Sequence, residues 1–518
     1  MNACRHTLAA LAGLVMGLVG CEGTSQRPST LELTDCRLPK LSLTAKCGEL
    51  TVLENRDQPD GRKIVIAVAV LPANTLNPRA DPLFIVAGGP GQAASFLGPF
   101  AASLTGVRKD RDIVLIDQRG TGRSSPLDCA PFKPDPSLDT ALEFDPAPKA
   151  MACAKELAAR GVDVTQYTTL AWIADLDAVR AAIGYAKINL WGGSYGTRAA
   201  LEYLRKHPDR VRSVVLDGVE PPSMRSTLDV WPTRDVALTA VLDACAQSPA
   251  CAVAHHDLPT TLAGIRDRLG RDGRDFTVTD PHTGEPQTQR ITFDHVLGAL
   301  LPLTYSPELS VLLPEIIGRA AADDFAPMIA AALYVTTGLD EQMNTALHYS
   351  VTCAEDIPRV SPADATRVLA NLPTKALAER ALAVCNEWPK GMSADGPPLG
   401  ARPPGGERRA ATVGGDYPSA ADATTPVSST VPVLILSGGL DPVTPPANGS
   451  EVAKTLPNSR HIIARGYGHI VSPHACGPRL IAAFVDDPSF ATLPESCVNH
   501  FEKSVRPPLW PDRLGARS

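Results

Sequence analysis

Short apolar runs alternate with longer amphipathic stretches along much of the chain. Residues 63–70 (KIVIAVAV), 83–87 (LFIVA), 112–117 (DIVLID), 188–191 (INLW) and 211–217 (VRSVVLD) have the length and β-branched content of buried strands. Between them, residues 170–183 (LAWIADLDAVRAAI) carry a helical period with Asp175 and Asp177 on the polar side, and residues 197–207 continue as another helix. Fully apolar strands separated by helices predict a mostly parallel sheet with helices on both faces. The pattern changes at Pro222. Residues 222–425 read as mostly helical, broken by prolines and by a Gly/Pro/Arg-rich segment at 400–409. Two more strands follow, 433–437 (VLILS) and 461–464 (HIIA). The expected organisation is an α/β core over 35–221, a helical cap over 222–425 inserted before the last two strands, and a second core part over 426–518. No internal repeat is evident.

Ahead of the core, residues 7–20 (TLAALAGLVMGLVG) form an apolar stretch behind Arg5. It is shorter than the ~20 residues a helix needs to cross a bilayer, and it has the length of a signal-peptide core. It ends in Leu18-Val19-Gly20-Cys21, the form of a lipoprotein processing box, with a small residue before the cut and a thiol to take the lipid. The expectation is a leader over 1–21, a lipid anchor on Cys21 and a short polar tether over 22–34. The mature chain would then sit in the cell envelope, on a periplasmic or extracytoplasmic face.

Composition narrows the function. Of 518 residues 44% are apolar, so wholesale disorder is excluded; the net charge of −7 has no concentrated basic block, which argues against a nucleic-acid partner. Setting aside Cys4 and Cys21, ten of the 12 cysteines remain. In an exported chain these are expected as disulfides. Connectivity is not given by sequence, and local pairing is the simplest assignment: Cys36 with Cys47, Cys129 with Cys153, Cys245 with Cys251, Cys353 with Cys385 and Cys476 with Cys497. No CxxC and no zinc-ligand spacing occurs, so no metal is expected.

The candidate chemistry sits at strand ends. Trp191-Gly192-Gly193-Ser194-Tyr195-Gly196 places Gly-x-Ser-x-Gly between a predicted strand and a predicted helix. A nucleophile on such a turn needs small neighbours, because adjoining backbone comes close. The turn exposes the Ser194 Oγ and aims the free amides of the helix N-terminus at a developing anion. In this architecture acid and base follow in that order, each after a later strand. Asp441 lies just past 433–437, and His469 just past 461–464, where glycines let the loop fold back. His461 and His474 are alternatives for the base, and a turn role before Pro442 is the alternative for Asp441. An oxyanion hole needs two amides. Tyr195 supplies one; Gly89 of Gly88-Gly89-Pro90-Gly91 is the choice for the other, with Gly88 its competitor.

The set AGGPG, DQRGTGRS, GGSYG, LDPVTP and GYGH resembles the proline iminopeptidase and tripeptidyl aminopeptidase group of α/β-hydrolases, over residues 52–497. The processing box, the cysteine pairs and the segment from about residue 425 are most similar to the exported tripeptidyl-aminopeptidase-like branch. The resemblance implies the α/β-hydrolase fold and peptide-bond hydrolysis near a free N-terminus, with no metal or organic cofactor. Ala87 stands where proline iminopeptidases usually have His before GGPG, so strict proline specificity is not carried over. The fold also hosts esterases, and a carboxylic-ester hydrolase with the same Ser-Asp-His set is the alternative. A non-catalytic binding lipoprotein is a third reading, against which the complete set speaks.

An aminopeptidase must hold the substrate ammonium with carboxylates. Glu355 and Glu220 are the candidates, with Asp356 adjacent. Arg119 and Arg123 are expected to clamp their loop, without a catalytic role. Trp172, Trp231 and Trp388 are expected chiefly in core or cap packing. The expected partners are peptides and, through Cys21, a membrane; oligomeric state is not legible.

Overall fold

The structure is a computed structural model that describes residues 31–133, 137–138, 145–280, 283–390 and 424–503. The leader, with Cys21, lies outside the described residues. The apolar runs line up as strands β3 (Lys63–Leu71), β4 (Leu83–Val86), β5 (Ile113–Ile116), β6 (Ile188–Gly193), β7 (Val211–Asp217), β10 (Val433–Gly438) and β11 (Ser459–Ala464), preceded by β1 (Thr34–Cys36) and β2 (Ala45–Leu53). One nine-stranded sheet results, in the order β1-β2-β3-β5-β4-β6-β7-β10-β11. Pairs from β5 to β11 are parallel, whereas β1 to β5 join antiparallel through β2 and β3.

Successive residues of a strand face opposite ways, and here both faces are covered. Phe84, Val114, Leu190, Leu216 and Ile435 pack on one side with helices α1 (Thr169–Ile183) and α2 (Tyr195–Lys206). Leu83, Leu115, Trp191, Val215 and Leu434 pack on the other with Leu480 and Phe484 of the helix Gly477–Asp486. This is the α/β-hydrolase arrangement, a mostly parallel sheet between helical layers.

Two expectations need correction. The stretch read as a tether over 22–34 does not stay clear of the fold: Leu31 is buried and Thr34 opens β1. An apolar Leu among polar neighbours gains more by burial against the sheet than by remaining in water. The antiparallel strands β1 and β2 also went unread, because β2 (AKCGELTVL) mixes buried and exposed positions near an edge and lacks a continuous apolar run. The insertion is mostly helical, beginning with α3 (Ser226–Gln247), but it includes a hairpin of β8 (Arg274–Thr279) and β9 (Pro286–Ile291). It has an apolar core of its own, including Leu228, Ile265, Leu297 and Ile317.

Disulfides join Cys36 to Cys47, Cys129 to Cys153, Cys245 to Cys251, Cys353 to Cys385 and Cys476 to Cys497. Such a framework belongs to an extracytoplasmic chain. Cys353 lies on α4 (Thr345–Glu355) and Cys385 on α5 (Lys375–Glu387), where Trp388, Tyr195 and Leu347 pack between cap and core. Trp172 is buried in the sheet core and Trp231 in the cap core.

Candidate active site

Ser194 stands between β6 and α2 at φ 55° and ψ −129°. A non-glycine residue there is strained by about 1–3 kcal/mol, and such strain persists only where the surroundings over-determine it. Its amide donates to the Asp217 carbonyl at 2.9 Å. Its neighbours must be small: a Cβ on Gly192 would stand 2.5 Å from the Gly196 carbonyl oxygen.

Asp441 and His469 meet over the ends of β10 and β11. His469 Nδ1 lies 3.0 and 2.9 Å from the two Asp441 oxygens, which leaves Nε2 as the ring nitrogen without a described partner. The Asp441 carboxylate also accepts the amides of Val443 and Thr444 at 2.8 Å each and the Thr444 hydroxyl at 2.8 Å. Burial pushes the Asp441 carboxyl up, but contact with His469 and the amide donors outweigh it and hold it below the usual carboxylate value. Burial likewise works against charge on His469; attraction to Asp441 prevails and raises it. A Cβ on Gly218 would stand 3.2 Å from His469 Cε1, and Gly218 directly follows the Asp217 that accepts the Ser194 amide. Serine, acid and imidazole thus come to one rim of the sheet. His461 hydrogen-bonds Ser437 at 2.9 Å and His474 lies 3.5 Å from Glu308, both away from Asp441.

The GGPG loop faces Ser194. A Cβ on Gly88 would stand 3.0 Å from Ser194 Cβ. The Gly88 amide donates to Gln92 Oε1 at 3.2 Å, whereas the Gly89 amide has no partner among the described residues. The Tyr195 amide opens α2, where first-turn donors have no intrahelical acceptor. The cap holds this loop from outside: Asn344 N donates to Gly91 O at 2.8 Å, Ala93 N to Gln342 O at 3.0 Å, and His348 Nδ1 to Pro90 O at 3.3 Å. It holds the histidine loop too, since His469 N donates to Tyr305 O at 2.7 Å and the two rings meet edge-on at 5.4 Å.

Glu220 and Glu355 are brought to one buried guanidinium, that of Arg198 on α2. Arg198 lies 2.8 Å from Glu220, 2.9 Å from Asp356 and 3.9 Å from Glu355, and Arg359 adds 2.9 Å to Asp356. Three carboxylates against two guanidinium groups leave one negative charge in excess. Glu355 also accepts the Thr169 amide at 2.6 Å and hydroxyl at 2.7 Å, while Asp356 Oδ2 is buried with no partner among the described residues. Burial raises Glu220 and Glu355 above the ordinary Glu value, with Arg198 opposing. Arg119 is instead sealed against Asp175 at 2.6 Å, and Arg123 is exposed beside Glu49.

Reading along the sequence missed Arg198, Asp217 and Thr444. Each carried a local signal: Arg198 is one helical turn past Ser194, Asp217 ends a strand beside it, and Thr444 lies in the Asp441 loop.

A family model described as alpha/beta hydrolase fold matches residues 81–251, and one described as TAP-like protein matches residues 411–497. The chain has the α/β-hydrolase fold, and its C-terminal part is similar to TAP-like proteins. The chain is 32% identical over 241 residues to serine protease Hip1 of Mycobacterium tuberculosis, covering 42% of this chain and 46% of that protein. It is 33% identical over 207 residues to a tripeptidyl aminopeptidase of Streptomyces coelicolor, covering 36% of this chain and 37% of that protein. A proline iminopeptidase of Neisseria gonorrhoeae is 32% identical over 148 residues, 28% of this chain and 34% of its own length. The chain therefore spans less than half the length of these curated relatives.

Proposed function

We propose that this α/β-hydrolase is an exported serine peptidase that cleaves peptides near a free N-terminus through an acyl-enzyme. The observation that carries the reading is His469 held by Asp441 through Nδ1, with Nε2 left free at the rim where the strained Ser194 stands. In the proposed cycle Nε2 takes the Ser194 proton as Oγ attacks the peptide carbonyl. Asp441 fixes the tautomer and offsets the charge on the imidazolium. The amides of Gly89 and Tyr195 receive the oxyanion; each such donor is worth about 10²–10³ in rate. His469 then protonates the leaving amine, and water attacks the ester with the same base assisting.

The carboxylate excess around Arg198 supports recognition of the substrate's α-ammonium by Glu355 and Glu220, with Asp356 Oδ2 as a further acceptor. A bound ammonium would neutralise the excess charge and engage the orphaned oxygen, and a blocked N-terminus would do neither. The names of the three relatives agree with peptide substrates. Residues 1–21 as a leader and Cys21 as the lipidated residue complete the proposal, with membrane anchoring as the consequence.

The deciding experiment is mass spectrometry of products from matched free and N-acetylated peptides, with parent and Ser194→Ala. Products from free peptides only, lost in the variant, are expected. Turnover of activated esters with no peptide cleaved would move the assignment to ester hydrolysis. For the anchor, a lipid label on the parent that Cys21→Ser loses is the expected result.

A further inference from the structure

Arg234 lies on α3, on the cap side of the catalytic loops. Its neighbour Thr233 donates to the Pro442 carbonyl of the acid loop at 2.9 Å. Arg234 Nη2 is 3.5 Å from the hydroxyl of Tyr305, whose ring packs on His469 and whose carbonyl holds the His469 amide. Its charge also reaches His348, the residue bonded to Pro90 of the oxyanion loop. The guanidinium therefore meets the histidine loop through Tyr305, and the turn of helix that carries it is tied to the acid loop through Thr233.

The nearest described carboxyl influence on Arg234 is that of Asp235, which acts on it without direct contact. Among the described residues no carboxylate lies within 4.0 Å of it, and its Nε is buried without an acceptor. Arg234 is half-buried; the fully buried guanidinium groups are directly paired, Arg198 with Glu220 and Asp356, Arg119 with Asp175, and Arg111 with Asp81. Arg234 is held instead by a face-on contact with the Trp231 ring at 4.7 Å. Such a contact is worth about 0.5–2 kcal/mol. The ring under its plane and the Tyr305 hydroxyl at one end fix the fork in orientation, which suits a planar two-oxygen ligand.

We propose that Arg234 is the cation of a substrate subsite and takes a carboxylate of the bound peptide. That carboxylate is either the peptide's C-terminus or an acidic side chain, and the experiment separates the two. With the carboxylates around Arg198 at one end and Arg234 at the other, the site would read both charges of a short peptide. The proposal rests on the peptidase reading for its ligand, so its test does not require that any peptide be cleaved.

The readout is the rate at which a fluorophosphonate labels Ser194 in the full chain, slowed by competing short peptides. One pair of competitors differs only in a C-terminal carboxylate against its amide, another only in Glu against Gln. In the parent, the carboxylate member of one pair protects at about tenfold lower concentration, as a hydrogen bond to a charged partner predicts. The pair that responds identifies the source. In Arg234→Gln the difference falls to about onefold, and Arg234→Lys retains part of it. Equal protection within both pairs in the parent, or no protection by any of them, overturns the proposal without any variant; a difference that persists in Arg234→Gln overturns it as well. Peptides that protect by charge yet are not cleaved would sink the peptidase reading and leave this subsite standing. Peptides that are cleaved with no carboxylate preference would do the reverse.

Discussion

Asp217 and Ser472, 255 residues apart, are joined by a 2.7 Å hydrogen bond from the Ser472 amide to the Asp217 carboxylate. The same carboxylate accepts the Val471 amide at 2.9 Å, and the Asp217 backbone carbonyl accepts the Ser194 amide at 2.9 Å. The end of β7 therefore fixes the histidine loop and the serine turn to one another. Burial raises the Asp217 carboxyl, and the donors from Ser472 and Val471 oppose that.

Asp217→Asn tests this tie. The amide side chain offers one acceptor to two N–H donors and turns a donor toward one of them. A stability loss of about 1–3 kcal/mol is expected. A fall in kcat/KM of roughly 10–100-fold should accompany it, because displacement by an ångström costs about that much. Urea denaturation and kinetics on the same preparation check both; unchanged stability would show that the loop is held elsewhere.

The pH profile should carry the mark of the His469–Asp441 pair. In the proposed cycle His469 must be neutral to accept the Ser194 proton. Its titration lies above the ordinary 6.5 because Asp441 outweighs the effect of burial. The acid limb of kcat/KM is therefore expected above 6.5, with activity rising as pH increases through it. In Asp441→Asn that limb should move to lower pH, and kcat should drop on the order of 10³–10⁴.

Gly88→Ala isolates the contact between the GGPG turn and the serine turn. The added methyl would stand 3.0 Å from both Ser194 Cβ and the Gly193 carbonyl oxygen, and those are turn atoms that cannot swing aside. The oxyanion loop or the serine must shift. A loss of about 10²-fold in kcat is expected, on the scale of one misplaced oxyanion donor. Melting temperature distinguishes this from general unfolding.

Arg198→Met removes the charge on which Glu220, Glu355 and Asp356 converge. Leaving buried carboxylates uncompensated should cost about 3–5 kcal/mol at neutral pH. The loss should depend on pH. Burial already raises Glu220 and Glu355 above 4.5, so the folded state binds more protons than the unfolded one and stability falls as pH increases through the raised values. The variant should be most impaired at alkaline pH and recover towards acid pH. Chemical denaturation at several pH values measures it.

Much was legible because much is local. An all-apolar run such as 83–86 commits to a strand buried on both faces wherever it lies in the fold. The glycines around Ser194 commit the turn to backbone that only small residues tolerate. Near-neighbour cysteines such as Cys245 and Cys251 need little chain closure to meet. By contrast β2, half-exposed near an edge, has no apolar run to betray it, and Leu31 reveals its burial only once a sheet exists to receive it.

The chain by itself determined most of the strands and helices, and which residues are candidates for nucleophile, acid and base. Those choices follow from side-chain periodicity and turn chemistry within a few residues. Tertiary structure alone decided that β4 lies between β5 and β6, that Asp217 ties Ser194 to Ser472, and that Arg198 gathers three carboxylates while Arg234 has none within 4.0 Å among the described residues. Charge pairing depends on which groups arrive within a few ångströms after folding, and residues hundreds of positions apart carry no local pattern that says so.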